Sequence, residues 1–454
     1  VCAGVGAYSR VRKQFRVPIA EFGGIQEALA RSARESYIIL AGTELTNAII
    51  DNHEAPMVLS SIMKQSCTER GRRVVTDGMD ILGGAGICRG KANFVGNAYM
   101  SMPVAITVEG ANIMTRSFQI IGQGLTRCHP HMLSLINSLQ SSEPDAPVKF
   151  RSQFVKMLGH VFSNLGLSLT RGAAASVSTT LRPSTAYIDG DQLLAYHEAQ
   201  LLRLSANFAF SADLALLLGG RLKFEELMMG RLSDAMGAIF LGYSVLHHFQ
   251  RNKGSIKGLE ALAEASMLQL EHEAQVALRE CAENFPKPLG ALGGWLMTAG
   301  VAPLGELMRP YRPPRDALTQ EVARLITTPS DVHRMFAENV YTPQGVDNRV
   351  AELLQAQELA LVALDGHLHT HGARFGVTRK AVKQEDLVQV LAVLQLEGLR
   401  HGDGSLCLGR LHARGLLGLL LRLAGGCHHL LALGCRLLVG LGRQLGLHFL
   451  DGLL

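Results

Sequence analysis

Glu109 is the residue best placed to do chemistry. It follows the apolar run 104–108 and precedes Gly110 within PVAITVEGANIMTRS. The residues themselves leave two readings open. A Glu in the first turn of a helix is favoured by the helix dipole. A carboxylate in an apolar wall instead holds its proton more tightly and can remove a weakly acidic proton. Gly110 would let a flat ligand approach the backbone closely. Other candidates are weaker. GGAG at 83–86 follows a helical pattern rather than a strand, so it reads as helix termination and not a dinucleotide fingerprint. His247 and His248 are adjacent and read as surface histidines, because a metal pair on a helix is spaced i, i+4. In RCHPH (127–131) Pro130 marks a turn, and the segment reads as a loop entering a helix at 131. There is no G-x-x-x-x-G-K-[ST], H-E-x-x-H or G-x-S-x-G. The eight cysteines are scattered without C-x-x-C, which predicts free buried thiols, a reducing compartment and no metal site.

Helices must position these groups. Ile25, Leu29, Ala33, Tyr37, Leu40, Ala41, Leu45 and Ala48 recur at helical spacing and predict a helix over 21–52, closed by Asn52, His53 and Pro56. A second helix is predicted over 57–82, ending at the glycines, and a third over 109–122. NSLQSSEPDAP (138–148) has the composition of a linker. Further helices are predicted over 149–181, 187–218, 222–251, 257–284, 315–327, 330–339 and 348–366. Alternating β-branched runs never persist, so the expected fold is all-α with no sheet beyond two short strands. The expected domains are a helical bundle over 1–140, a second all-helical extension over 141–395, and a Leu/Gly/Arg tail over 396–454. Gly interrupts the Leu runs of that tail, so it is expected to be disordered or translated out of frame.

Hydrophobic residues make up 47% of the 454 residues and charged residues 18%, enough for a large core. Lys plus Arg (44) exceed Asp plus Glu (39) by 5, and the last 54 residues carry five Arg against two Asp. The body is thus near neutral, which argues against a nucleic-acid partner. The chain starts at Val1 without a secretory signal, so a piece beginning inside a larger protein is expected. The longest uncharged run of the tail is shorter than the ~20 residues that span a bilayer.

Three segments, in order, resemble acyl-CoA dehydrogenases. YSRVRKQFRVPIAEFGGIQ (8–26) is similar to the family's R-x-Q-F-G-x-P-I-x-x-F-Q-x-I-Q. DGMDILGGAGI (77–87) is similar to Q-x-x-G-G-x-G, and VEGANIMTR (108–116) to E-G-T-x-x-I-x-R. The helical stretch after 140, with GQGLTRCHP, resembles the large bacterial type of fatty-acid β-oxidation. The resemblance covers about 1–395 and implies the C-terminal helical bundle of the family, without its N-terminal helical and middle β-domains.

The resemblance implies an FAD-dependent enzyme that converts medium- to long-chain acyl-CoA to trans-2-enoyl-CoA. Glu109 aligns with the base that removes the α-proton while the β-hydride goes to flavin N5, and Gly110 lies at the substrate. Arg12 aligns with the arginine that reaches the FAD pyrophosphate of a neighbouring subunit. Gln14, Phe15 and Ile25 align with neighbours of that FAD, and Gly83, Gly84 and Gly86 with a glycine turn near its adenosine end. An electron-transfer flavoprotein as acceptor, a homo-oligomer and a cytoplasmic location are further implications. Analogy with very-long-chain relatives adds peripheral contact with the inner face of the cell membrane. The sequence departs from the pattern at Arg16 (family Gly), Gly23 (Gln), Asp80 (Gln) and Ala111 (Thr), which bears on the cofactor contacts and not on the base. The alternative is a non-catalytic helical interaction module built from the same bundle.

Overall fold

The computed structural model describes residues 1–90, 93–181, 190–287, 290–301, 314–338, 340–341 and 348–364. The end of the expected extension and the whole tail lie outside the described residues. Helix dominates, and the strands among the described residues are the two-residue β1 (Lys13–Gln14) and β2 (Val17–Pro18), paired antiparallel with Gln14 opposite Val17.

The first half contains α1 (Cys2–Val11), α2 (Gly23–Asp51), α3 (Met57–Leu82), the single turn α4 (Gly84–Ile87) and α5 (Gly96–Thr107). After a loop come the turn α6 (Asn112–Met114), a π-helix (Thr115–Gln123) and α7 (Gly124–Cys128). The helix expected over 109–122 is therefore not one helix from Glu109. Residues 108–111 form a loop, because Glu109 (φ +56°) and Gly110 (φ +85°) are both left-handed.

The second half begins with α8 (Met132–Gln140) and α9 (Ala146–Leu181), so the expected linker narrows to 141–145. Next come α10 (Gly190–Leu216), α11 (Glu226–Asn252), α12 (Leu259–Glu283), α13 (Gly290–Val301), α14 (Asp316–Thr327), α15 (Asp331–Ala337) and α16 (Arg349–Leu364). Most agree with the periodicity to within a few residues. The exception is α13, whose Gly293 and Gly294 are poor helix formers. A Cβ on Gly294 would stand 2.3 Å from the carbonyl oxygen of Ala282, so close packing on α12 selects the glycines there.

One core runs through both halves. Leu29, Ala33, Tyr37 and Leu45 of α2 are buried against the extension, whose α11 contributes Leu232, Ala235, Phe240, Val245 and Phe249. Charge crosses the same joint. Glu35 of α2, fully buried, accepts from Arg70 (2.6 Å) and Arg73 (2.7 Å) of α3 and from Gln269 (2.8 Å) of α12. Arg70 also reaches Glu273 of α12 at 2.5 Å. Burial opposes ionisation of Glu273, but Arg70 prevails and holds its carboxyl below the usual carboxylate range.

Two expectations about side chains are corrected. His248 is buried, because Tyr37 of α2 packs on it, with the Tyr37 hydroxyl and His248 Nδ1 in a hydrogen bond of 3.0 Å. The helix expected to begin at 131 starts at Met132 with His131 as its N-cap, and the loop before it is shorter than expected because Arg127 and Cys128 end α7. Cys2 and Cys281 are buried, but Cys88 and Cys128 are exposed.

Candidate functional site

The Glu109 loop is held by α3. Lys64 Nζ donates to Gly110 O (2.7 Å), to Asn112 Oδ1 (2.7 Å) and to Ile106 O (3.3 Å), which uses all three ammonium hydrogens. Asn112, buried, turns its amide nitrogen to Thr68 Oγ1 (2.8 Å) and Glu69 Oε1 (2.9 Å). The reverse amide orientation would set donor against donor at Lys64 and oxygen against the Glu69 carboxylate. On the far side, Thr115 Oγ1 donates to Gly110 O at 3.1 Å. A left-handed non-glycine residue costs roughly 1–2 kcal/mol, and these bonds around Glu109 sustain it.

Glu109 itself is exposed. The apolar wall expected around it exists only as surface: Val108 of the loop, Ile113 and Met114 of α6 and Tyr99, Met100 and Val104 of α5 are exposed, and α5 buries none of its residues. The chain alone therefore does not desolvate the carboxylate. Glu109 lies in the loop between α5 and α6 and not in the first turn of a helix.

Arg12 ends α1 and enters the β1–β2 hairpin, where Phe15 (φ +51°) and Arg16 (φ +67°) make a two-residue turn. Such a turn requires positive φ at both positions. That explains the family glycine at position 16, and Arg16 adopts the conformation at a cost. Arg12 and Gln14 are exposed, and Phe15 is 90% exposed against Phe22 at a 6.4 Å ring separation. Ile25 is half-buried and packs on the core.

Gly83 ends α3 at φ +56°, and a Cβ on Gly83 or Gly84 would meet nothing within 4 Å. Gly86 differs: it is buried, and its Cβ would stand 2.8 Å from Met79 O, so it serves the packing of the turn. Tyr8 Oη donates to Leu82 O at 3.4 Å, which brings the α1 end and the glycine turn together. Glu109 is not with them. It is held from Lys64 to Glu69, and at 1.5 Å per residue Gly83 lies about 20–28 Å further along α3.

One cluster was not foreseen. His129, His160 and Asp213 place ligand-type atoms within 4.8 Å of one another. His129 Nδ1 accepts the backbone N–H groups of His131 and Met132, both at 3.1 Å, so its proton sits on Nε2 and is donated to Asp213 Oδ1 at 3.0 Å. Asn164 Nδ2 bonds Asp213 Oδ2 (2.8 Å) and His160 Nε2 (3.0 Å). A histidine that binds metal through one nitrogen normally donates from the other. Here the other nitrogen faces two donors, so the arrangement suits a polar lock joining 129–131 to α9 and α10.

Sequence reasoning missed Lys64, Thr68 and Glu69, which carry no motif. Asn112 and Arg116 lay inside the 108–116 segment, but nothing in the sequence pointed to their partners. Arg116 makes a bidentate pair with Asp234 of α11.

Two family models match consecutive stretches of this chain. Residues 3–125 match "Acyl-CoA dehydrogenase, C-terminal domain" and residues 126–387 match "Acyl-CoA dehydrogenase, C-terminal, bacterial type". The chain belongs to the acyl-CoA dehydrogenase family. It is similar in fold to an acyl-CoA dehydrogenase from Bacillus anthracis solved in complex with FAD, at 15% identity and a TM-score of 0.50. That match covers 72% of this chain and 52% of the other, so the chain spans about half the length of that relative. Among the described residues, no helix is long and apolar enough to cross a membrane.

Proposed function

We propose that this chain is the C-terminal part of an FAD-dependent dehydrogenase that converts a medium- to long-chain acyl-CoA to the trans-2-enoyl-CoA, the first step of fatty-acid β-oxidation. The observation that carries this reading is Glu109: a left-handed carboxylate at the family's E-G position, fixed by Lys64 and Asn112 beside exposed apolar side chains. In this reading Glu109 takes the α-proton. Its backbone is held from both sides, so the carboxylate does not drift when the thioester arrives. Val108, Ile113 and Met114 would keep water from the carboxylate once substrate and the rest of the protein cover them.

The residues present fit FAD. The Arg12 guanidinium is exposed and has no side-chain partner among the described residues, which suits a pyrophosphate. The open turn at Gly83 and Gly84 leaves room for a ligand against the backbone. Gln14, Phe15 and Ile25 flank the same end. FAD, when bound, supplies the acceptor for the β-hydride. The separation of Arg12 and Gly83 from Glu109 supports a homo-oligomer in which the first two serve the FAD of a neighbouring subunit. Electrons would leave to an electron-transfer flavoprotein, and the protein would work in the cytoplasm or at the inner membrane face.

The test is anaerobic mixing of the full-length protein with a saturated long-chain acyl-CoA. The expected result is a yellow protein whose flavin absorbance bleaches. A flavin-free protein, or one that does not bleach, would overturn the proposal.

A further inference from the structure

An ion pair ties the two family segments together beside the Glu109 loop. Arg116, in the π-helix, donates from Nε to Asp234 Oδ1 (2.7 Å) and Oδ2 (2.9 Å) and from Nη2 to Oδ2 (2.5 Å). A bidentate fork fixes direction as well as distance. Helix α11 admits it closely: a Cβ on Gly230, one turn before Asp234, would stand 2.6 Å from Arg116 Nη1. The residues around Arg116 reach the loop. Thr115, fully buried, bonds Gly110 O, and Gln119 Nε2 lies 2.7 Å from where a Gly110 Cβ would be. Ile120 and Ile121 of the same helix are buried, and Gly122 faces Met229 of α11. Wide π-turns occur mostly inside α-helices and at functional sites. Their register has to be held by something outside the helix, and here α11 is packed along it.

We propose that Asp234, in the segment matched by the bacterial-type model, is a positioning residue for Glu109. Acting through Arg116, it holds the π-helix in the register that presents the Glu109 loop. This rests on the reading of Glu109 as the base. It gives the extension a part in the site: the bundle carries the base and the extension aims it.

The test uses full-length, flavin-loaded protein carrying Asp234→Asn or Gly230→Ala, the second of which displaces the guanidinium without touching either charge. The limiting rate of anaerobic flavin reduction by acyl-CoA should fall about 10- to 100-fold. Half-saturation by acyl-CoA and flavin per subunit should be unchanged, and melting temperature should stay within about 2 °C. The swapped pair Asp234→Arg with Arg116→Asp should recover part of the rate. A wild-type limiting rate in Asp234→Asn would overturn the proposal, and so would a rate loss that comes only with lost flavin or lost stability. Hydrogen exchange of 108–116 separates this from the base assignment. If Glu109→Gln reduces normally, the base reading fails, while faster exchange in Asp234→Asn still supports the positioning role and unchanged exchange sinks it.

Discussion

Replacing Glu35 by Gln tests how the bundle and the extension are joined. The carboxylate is inaccessible and receives Arg70, Arg73 and Gln269, while Arg70 continues to Glu273. Glutamine keeps the volume, removes the charge and turns one acceptor into a donor that faces other donors. Losing one partner of a buried pair costs about 3–5 kcal/mol. Arg70 retains Glu273, and Arg73 is 47% exposed and so contributes under about 1 kcal/mol. The expected loss is therefore near the lower end, about 3 kcal/mol. Urea unfolding followed by helical circular dichroism measures it, as a lower midpoint at unchanged slope. The deficit should persist in roughly 1 M NaCl, because a buried pair is poorly screened. The control Arg73→Ala should cost less than about 1 kcal/mol. A Glu35→Gln deficit below about 1 kcal/mol, or one erased by salt, would refute the claim that this centre holds the joint.

His248 should make the protein acid-sensitive. Burial, then His247 and Arg251, lower its pKa from 6.5 to about 4. The unfolded chain takes up that proton near 6.5 and the folded chain only near 4, so stability is full above pH 6.5 and declines as pH falls toward 4. The integrated effect is up to about 3 kcal/mol. His248→Gln should flatten the melting-temperature profile across that window, and an unchanged slope would contradict the assignment. Arg12→Ala in the full-length protein should lower flavin per subunit while the flavin that remains still bleaches, whereas wild-type flavin content would remove Arg12 from the cofactor site.

The long helices were legible because their apolar spacing is their burial pattern: Leu29, Ala33 and Tyr37 are all fully buried on α2. What the sequence hid depends on distant partners. The run 104–108 looks like core, yet α5 buries nothing, and the turn that follows is set by Lys64, 46 residues before Gly110. His248 looked like a surface residue because its cover, Tyr37, lies 211 residues away. In α13, packing on Ala282 overrides helix propensity. The motif singled out Glu109, but nothing in the sequence disclosed the clamp on its loop, since Lys64 and Glu69 sit on an ordinary helical face. Arg16 was visible as a departure from the family glycine, and only the hairpin geometry shows what the departure costs.

The central claim is that Glu109 removes the α-proton. In the full-length protein, Glu109→Gln keeps the size of the side chain and leaves Lys64, Asn112 and Thr115 on the backbone of the loop. Flavin should stay bound, because Arg12 at the end of α1 and the glycine turn at the end of α3 lie away from the Glu109 loop. Anaerobic bleaching by a saturated acyl-CoA should slow by at least about 10²–10⁴-fold, the usual worth of a general base. Bleaching at the wild-type rate in a variant of normal flavin content would contradict the account.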